Sequence, residues 1–215
     1  MEFKAFEPSR VVLLTFATRK MGQIFLPDAI AALQQRYRFQ IVPGATELGN
    51  EILSFKIGEM DGVGINEFSI YSDGVIVETR ANTSFIDKFL SDVLDFAERE
   101  LGIEETGIPP RERHYESHVV VSMDINPRKM LPIAKEAQSS LVRSLGEYGL
   151  RPFNFDFAAF SFATDATAYG GRKPIPFTLA RRINVPFDAG IFFSSAPLAT
   201  DDHLGLLERL EHHMR

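Results

Sequence analysis

The chain runs through one order of elements twice, and that repetition limits its fold more than any single motif. Val11-Val12-Leu13 and Val119-Val120-Val121, 108 residues apart, are short apolar runs of the kind that form buried strands. Arg19-Lys20-Met21 returns 109 residues later as Arg128-Lys129-Met130, and Leu26-Pro27 returns 105 later as Leu131-Pro132. Leu53-Ser54-Phe55 meets Phe160-Ser161-Phe162 at 107, Phe68-Ser69-Ile70 meets Phe177-Thr178-Leu179 at 109, and Gly74-Val75-Ile76 meets Gly190-Ile191-Phe192 at 116. Six matches in one order near one period predict an internal duplication.

Between the matches lie the same elements. Leu26-Pro27-Asp28 opens a helix towards Arg36, with proline in the first turn, where its missing N–H had no partner. Leu53, Phe55 and Ile57 alternate with polar neighbours as in a half-buried strand, and Phe68 with Ile70 and Val75 with Val77 do the same. Asp73-Gly74 reads as a type I′ hairpin turn. Ser84 to Leu101 is an amphipathic helix with Ile86, Phe89, Leu90 and Val93 on one face, Ser84 and Asp87 as a capping pair, and Gly102 as its stop. In the second half a helix runs to Gly149 with Leu141 on its apolar face. Strands follow at 153–162, 175–182 and 190–193, and Thr200 is the expected N-cap of a last helix.

The fold expected is α+β: two tandem βαβββα-type repeats, 1–107 and 108–215, with a linker at about 102–113. They form a mostly antiparallel, helix-backed sheet in one joint domain with a pseudo-two-fold. Joining two such units shields strand edges that each alone would expose. In element order this resembles the duplicated saddle of TATA-binding-protein-like folds. No motif names a family, and a fold does not carry a function.

Composition removes several kinds of chemistry. Without cysteine there are no disulfides, thiolate metal sites or cysteine nucleophiles. No basic region followed by an apolar stretch opens the chain, and no run nears the ~18 apolar residues of a membrane helix. The expectation is a soluble, cytoplasmic protein. The net charge of −6 argues against a dedicated nucleic-acid binder. The charge is uneven, however: residues 108–182 hold 11 Lys and Arg against 7 Asp and Glu. With 19 Phe, 5 Tyr and no Trp, the aromatic set suits packing more than recognition.

Candidate ligand-binding residues are the repeated cations Arg19, Lys20, Arg128 and Lys129, each pair just before a helix start that favours anions, together with Arg172 and Lys173 in a later loop and Arg181 and Arg182 near that loop. They would suit a phosphorylated ligand or a nucleic acid. The run Phe153, Phe155, Phe157, Phe160, Phe162 reads as a packed strand, or as an aromatic face. Tyr169-Gly170-Gly171-Arg172-Lys173 lacks P-loop spacing. His114 and His118 stand roughly 13 Å apart on an extended strand and no HExxH occurs, so neither a metal nor any other cofactor is expected. Ser194-Ser195 precedes His203 without the GxSxG elbow, so no catalytic residue is assigned. The expected role is a non-catalytic protein-interaction or assembly subunit, with a protein partner or self-association. A binder acting through the basic loops and an enzyme with a site between the halves are the alternatives.

Overall fold

The computed structural model describes residues 1–15, 17–19, 25–49, 51–105, 112–125, 132–147, 158–165, 167 and 173–215; for 17–19, 104–105, 132–138 and 146 it describes the backbone alone. The strands are β1 (Glu2–Phe6), β2 (Ser9–Leu14), β3 (Ala17–Arg19), β4 (Leu53–Met60), β5 (Val63–Tyr71), β6 (Gly74–Thr79), β7 (Ile103–Glu105), β8 (Glu112–Ser122), β9 (Ala159–Phe162), β10 (Phe177–Arg181) and β11 (Ile191–Ala196). The helices are α1 (Leu26–Tyr37), α2 (Thr83–Leu101), α3 (Pro132–Glu147) and α4 (Thr200–Met214). The class is α+β, built on a nine-stranded sheet ordered β4-β5-β6-β2-β8-β11-β10-β9, with β1 also on β8 and every pairing antiparallel.

Read outward from the β2–β8 seam, the strand order is the same on both sides. The registers define matching positions: Val77 faces Phe68 as Ser194 faces Leu179, and Phe68 faces Phe55 as Leu179 faces Phe160. Buried Val75, Val77 and Thr79 of β6 thus match buried Phe192, Ser194 and Ala196 of β11. Three of the sequence matches slip. Phe68 meets Leu179 rather than Phe177, and Phe55 rather than Leu53 meets Phe160; both slips are two residues and keep the face. Gly74 falls opposite Leu14 as Ile191 falls opposite Ser122, and this one-residue slip would have turned every side chain over.

Two apolar cores sit on the sheet. The first packs α1 and α2 on β2, β4, β5 and β6, and its Tyr37, Phe39, Phe55, Phe68 and Phe89 rings contact one another at 4.9–6.3 Å. The second gathers Val119, Val121, Phe177, Leu179, Phe192 and Leu207 under α4.

Several local expectations change. The type I′ turn is Asp61-Gly62, with φ of 51° and 77°, and lies between β4 and β5. Gly74 has no left-handed φ; a Cβ there would stand 2.3 Å from the Leu13 carbonyl oxygen, so it is glycine for close approach. Ile57 does not continue the face of Phe55: it takes φ 55° and is 50% exposed, because the Gln40 and Ile41 amides donate to the Ile57 and Lys56 carbonyls and hold the backbone there. Asn82, not Ser84, caps α2, and Asp87 instead accepts from Arg113 and Tyr115. Ala199 is the N-cap of α4, so Thr200 is its first residue. Leu141 is 49% exposed rather than buried. Residues 17–19 form β3 and the linker expected at 102–113 contributes β7, which pair with each other, and the amino-terminal residues form β1, which the sequence did not signal. Phe153, Phe155 and Phe157 lie outside the described residues.

Candidate functional site

Two places concentrate unusual chemistry: a sealed polar cluster at the seam and the outer edge of β4.

The cluster is built by α4. Its first turn brings His203 inward, fully buried, between β8 and β11. His203 Nε2 lies 2.8 Å from Ser194 Oγ, and Nδ1 lies 3.1 Å from Ser117 Oγ. Ser194 Oγ also donates to the Thr178 carbonyl at 2.9 Å, and Ser117 Oγ is 3.3 Å from Thr200 Oγ1. From there the network crosses to the other half of the sheet. The Thr83 amide donates to Thr200 Oγ1 at 3.1 Å, and the Thr200 amide donates to Thr83 Oγ1 at 2.8 Å. Each threonine therefore satisfies an orphan amide in the first turn of the other's helix. Burial, with a smaller push from His118, lowers the His203 pKa to about 4, so the ring is neutral at pH 7. A Ser–His contact of this length is what a nucleophile needs, but Ser194 and His203 have no exposed surface through which a substrate could reach them.

The β4 edge is the opposite case. Ile41, Ile52 and Ile57 are all exposed there, and Ile41 bridges Lys56 beside Ile57. A positive φ at a β-branched residue is rare and strained, at a cost of about 1–2 kcal/mol. Here the strained residue is the one that turns an apolar side chain to solvent. Charges of both signs surround the three isoleucines: Arg38 pairs with Glu59 at 3.2 Å, and Lys56 stands 3.9 Å from Glu67. The other edge strand, β9, exposes Phe162 at 63%.

Next to the β4–β5 turn lies a cleft of about 460 Å³, lined by Arg36, Tyr37, Arg38, Glu59, Lys88 and Asp92 among others. Its charges are engaged with one another. Arg36 donates twice to Asp92, at 3.0 and 2.7 Å, Tyr37 donates to the same carboxylate at 2.7 Å, and Lys88 donates to Asp61 at 2.7 Å. The Arg36 bond leads the influences that hold the Asp92 carboxyl below its ordinary value.

The face of the sheet turned away from α2 and α4 differs between the halves. The first carries the cross-strand row Lys56–Glu67–Glu78–Arg10–Glu116, three carboxylates to two cations, with Arg10 donating to Glu78 at 2.8 Å. Anionic nucleic acid would meet repulsion on that lane. The second carries His118–Ser195–Thr178–Ser161, with His118 stacked on Phe193 at 5.9 Å and its pKa pushed down by burial. His114 lies on the same face of β8, its Nε2 3.5 Å from Glu112. Among the described residues no group of three or more His, Asp or Glu is placed to hold a metal ion. No described helix is long and apolar enough to cross a membrane.

Of the cations singled out in the sequence, Lys20, Arg128, Lys129 and Arg172 lie outside the described residues, and Arg19 is described only as the backbone partner of Ile103. Lys173 is exposed. Arg181 stacks over Phe187 at 4.5 Å and Phe192 at 5.2 Å and donates to the Phe187 carbonyl; Arg182 pairs with Glu7 at 3.4 Å. These last two are engaged within the chain. Neither the buried cluster nor the strained isoleucine was singled out from sequence. The Ser194-Ser195 pair ahead of His203 is visible in the sequence, but which serine meets the ring is not, and a positive φ at isoleucine has no sequence signal. No family model, no curated protein and no solved structure matches the chain.

Proposed function

We propose that the protein is a non-catalytic assembly subunit that associates with a second copy of itself through the β4 edge. The observation that carries this reading is Ile57, held in a left-handed conformation that costs stability and displays an apolar side chain on an edge that also exposes Ile41 and Ile52. Strain of this kind persists where the surroundings enforce it, and it gathers at functional sites. The choice of a second copy rests on the rim. In a two-fold contact each residue meets its partner's complement, and an edge carrying Arg38 and Lys56 beside Glu59 can match cation to carboxylate across the axis. A purely acidic or basic partner would leave half of that rim opposed to like charge.

Sedimentation equilibrium over about a hundredfold range of concentration tests this. The wild type should pass from monomer to dimer, and the Ile41→Lys/Ile57→Lys variant should stay monomeric while folding normally. Ile57→Gly should weaken the dimer yet raise monomer stability. Relief of about 1–2 kcal/mol of strain outweighs the roughly 0.5–1 kcal/mol that glycine costs in a strand. A wild type that remains monomeric throughout, or a dimer indifferent to the lysines, would overturn the proposal.

A further inference from the structure

The seam cluster has one internally consistent arrangement of protons. Ser194 Oγ has a single proton and uses it on the Thr178 carbonyl, so His203 Nε2 must carry the hydrogen between them. Nδ1 is then an acceptor for the Ser117 hydroxyl. In this state every nitrogen and hydroxyl of the cluster is matched once. A second proton on the ring makes Nδ1 a donor as well. Ser117 must then turn its own proton towards Thr200 Oγ1, 3.3 Å away, so that Thr200 takes this donor as well as the Thr83 amide and its own hydroxyl hydrogen loses Ser117 as an acceptor.

The surroundings offer such a cation nothing. It would sit in the first turn of α4, at the positive end of that helix, and Thr83 brings the positive end of α2 against the same spot. From β11 and β10 it meets the Ser194 hydroxyl, the Phe177 ring edge-to-face at 6.2 Å and, beyond the hydroxyl, the Thr178 carbonyl; from α2 it meets Thr83, and from β8 Ser117 and the titratable His118, which disfavours the charge further. Asp201 and Asp202 on its own helix are exposed, and Asp201 accepts from Asn82 at 2.7 Å outside the cluster.

We propose that the Ser117–His203–Ser194 cluster is an acid-operated latch: proton uptake at His203 releases the first turn of α4 from β8 and from Thr83 of α2. Stability held by the latch is complete above the ordinary histidine pKa near 6.5. It falls as pH drops towards about 4, and the trend ends below that, where both states carry the proton.

The matching positions supply the test. Val77 and Ile86 of the first half stand where Ser194 and His203 stand in the second, because Thr83 follows Thr79 by four residues as Thr200 follows Ala196. Ser194→Val/His203→Ile therefore installs side chains that the same backbone arrangement already holds elsewhere. Amide hydrogen exchange between pH 7 and pH 5 should show protection at the α4 first turn falling about twentyfold in the wild type, and staying level in the double variant once corrected for intrinsic rates. His203→Gln gives the same readout if the double variant does not fold, and the ring shifts of His203 report its own titration in the wild type. A level wild-type profile, an equal fall in the variants, or a ring that titrates near 6.5 in the folded protein would each overturn the latch.

Discussion

The two halves of the sheet solve one packing problem with different chemistry. Beneath α2, the face of β6 presents Val77 to Ile86, and five aromatic rings close the core around them. Beneath α4, the same face of β11 presents Ser194 to His203, and hydroxyls complete the surroundings. Apolar contacts hold in any protonation state. A satisfied polar cluster holds only while every donor meets an acceptor. The apolar packing beneath α2 is therefore indifferent to pH, and the packing beneath α4 is built with a condition attached.

The largest effect should come from the first core. Phe89 is fully buried, with Phe68 at 5.4 Å and Tyr37 at 4.9 Å. Phe89→Ala should cost about 3–5 kcal/mol, read as a drop in the urea midpoint with an unchanged slope. The loss should be the same at pH 7 and pH 5.5, since the Tyr37 hydroxyl is raised further above that range and Asp92, to which it donates, is held below its ordinary carboxylate value. A loss that grows on acidification would break the contrast between the halves.

This contrast was only partly legible in the sequence. The apolar faces of β2, β8 and α2 were plain, because a period of two or of 3.6 marks burial directly. Antiparallel class and helix backing followed from the repeated element order. Registers did not follow, since a slip of two residues preserves the face and leaves the apolar pattern intact, as where Phe55 rather than Leu53 holds the position that Phe160 holds in the other half. Caps were misplaced where a competing partner took the side chain: Asp87 was drawn to Arg113 across the sheet, and the Thr200 hydroxyl to another helix. Buried serine and histidine read as surface residues until geometry shows that each has a partner.

The joint between the halves should show a smaller effect. Thr83→Val removes the acceptor of the Thr200 amide, a loss of about 1 kcal/mol. Thr200→Val removes the acceptor of the Thr83 amide and also the contact with Ser117 in the His203 cluster, so it should cost more, about 1–2 kcal/mol. Thermal melts of the two variants and the double variant check the order. Equal losses would mean that Thr200 acts only as a cap and that the cluster ends at Ser117.

The smallest effect should be at Leu141. Its spacing in α3 suggests a core position, but the side chain is half exposed, and among the described side chains of that helix none is buried. A leucine that keeps much of its surface in water has little transfer energy to lose, and alanine leaves no cavity behind it. Alanine also favours a helix slightly more than leucine does. Leu141→Ala should therefore change stability by less than about 0.5 kcal/mol, within the range of ordinary surface substitutions. The contrast with Phe89→Ala in a parallel urea titration is what matters. Both residues keep the helical period of an apolar face, yet only α2 turns Phe89 into a closed core. A loss of 2 kcal/mol or more at Leu141, the order expected for a buried leucine, would show that α3 covers a third apolar surface in solution and that the second half is less polar than its seam.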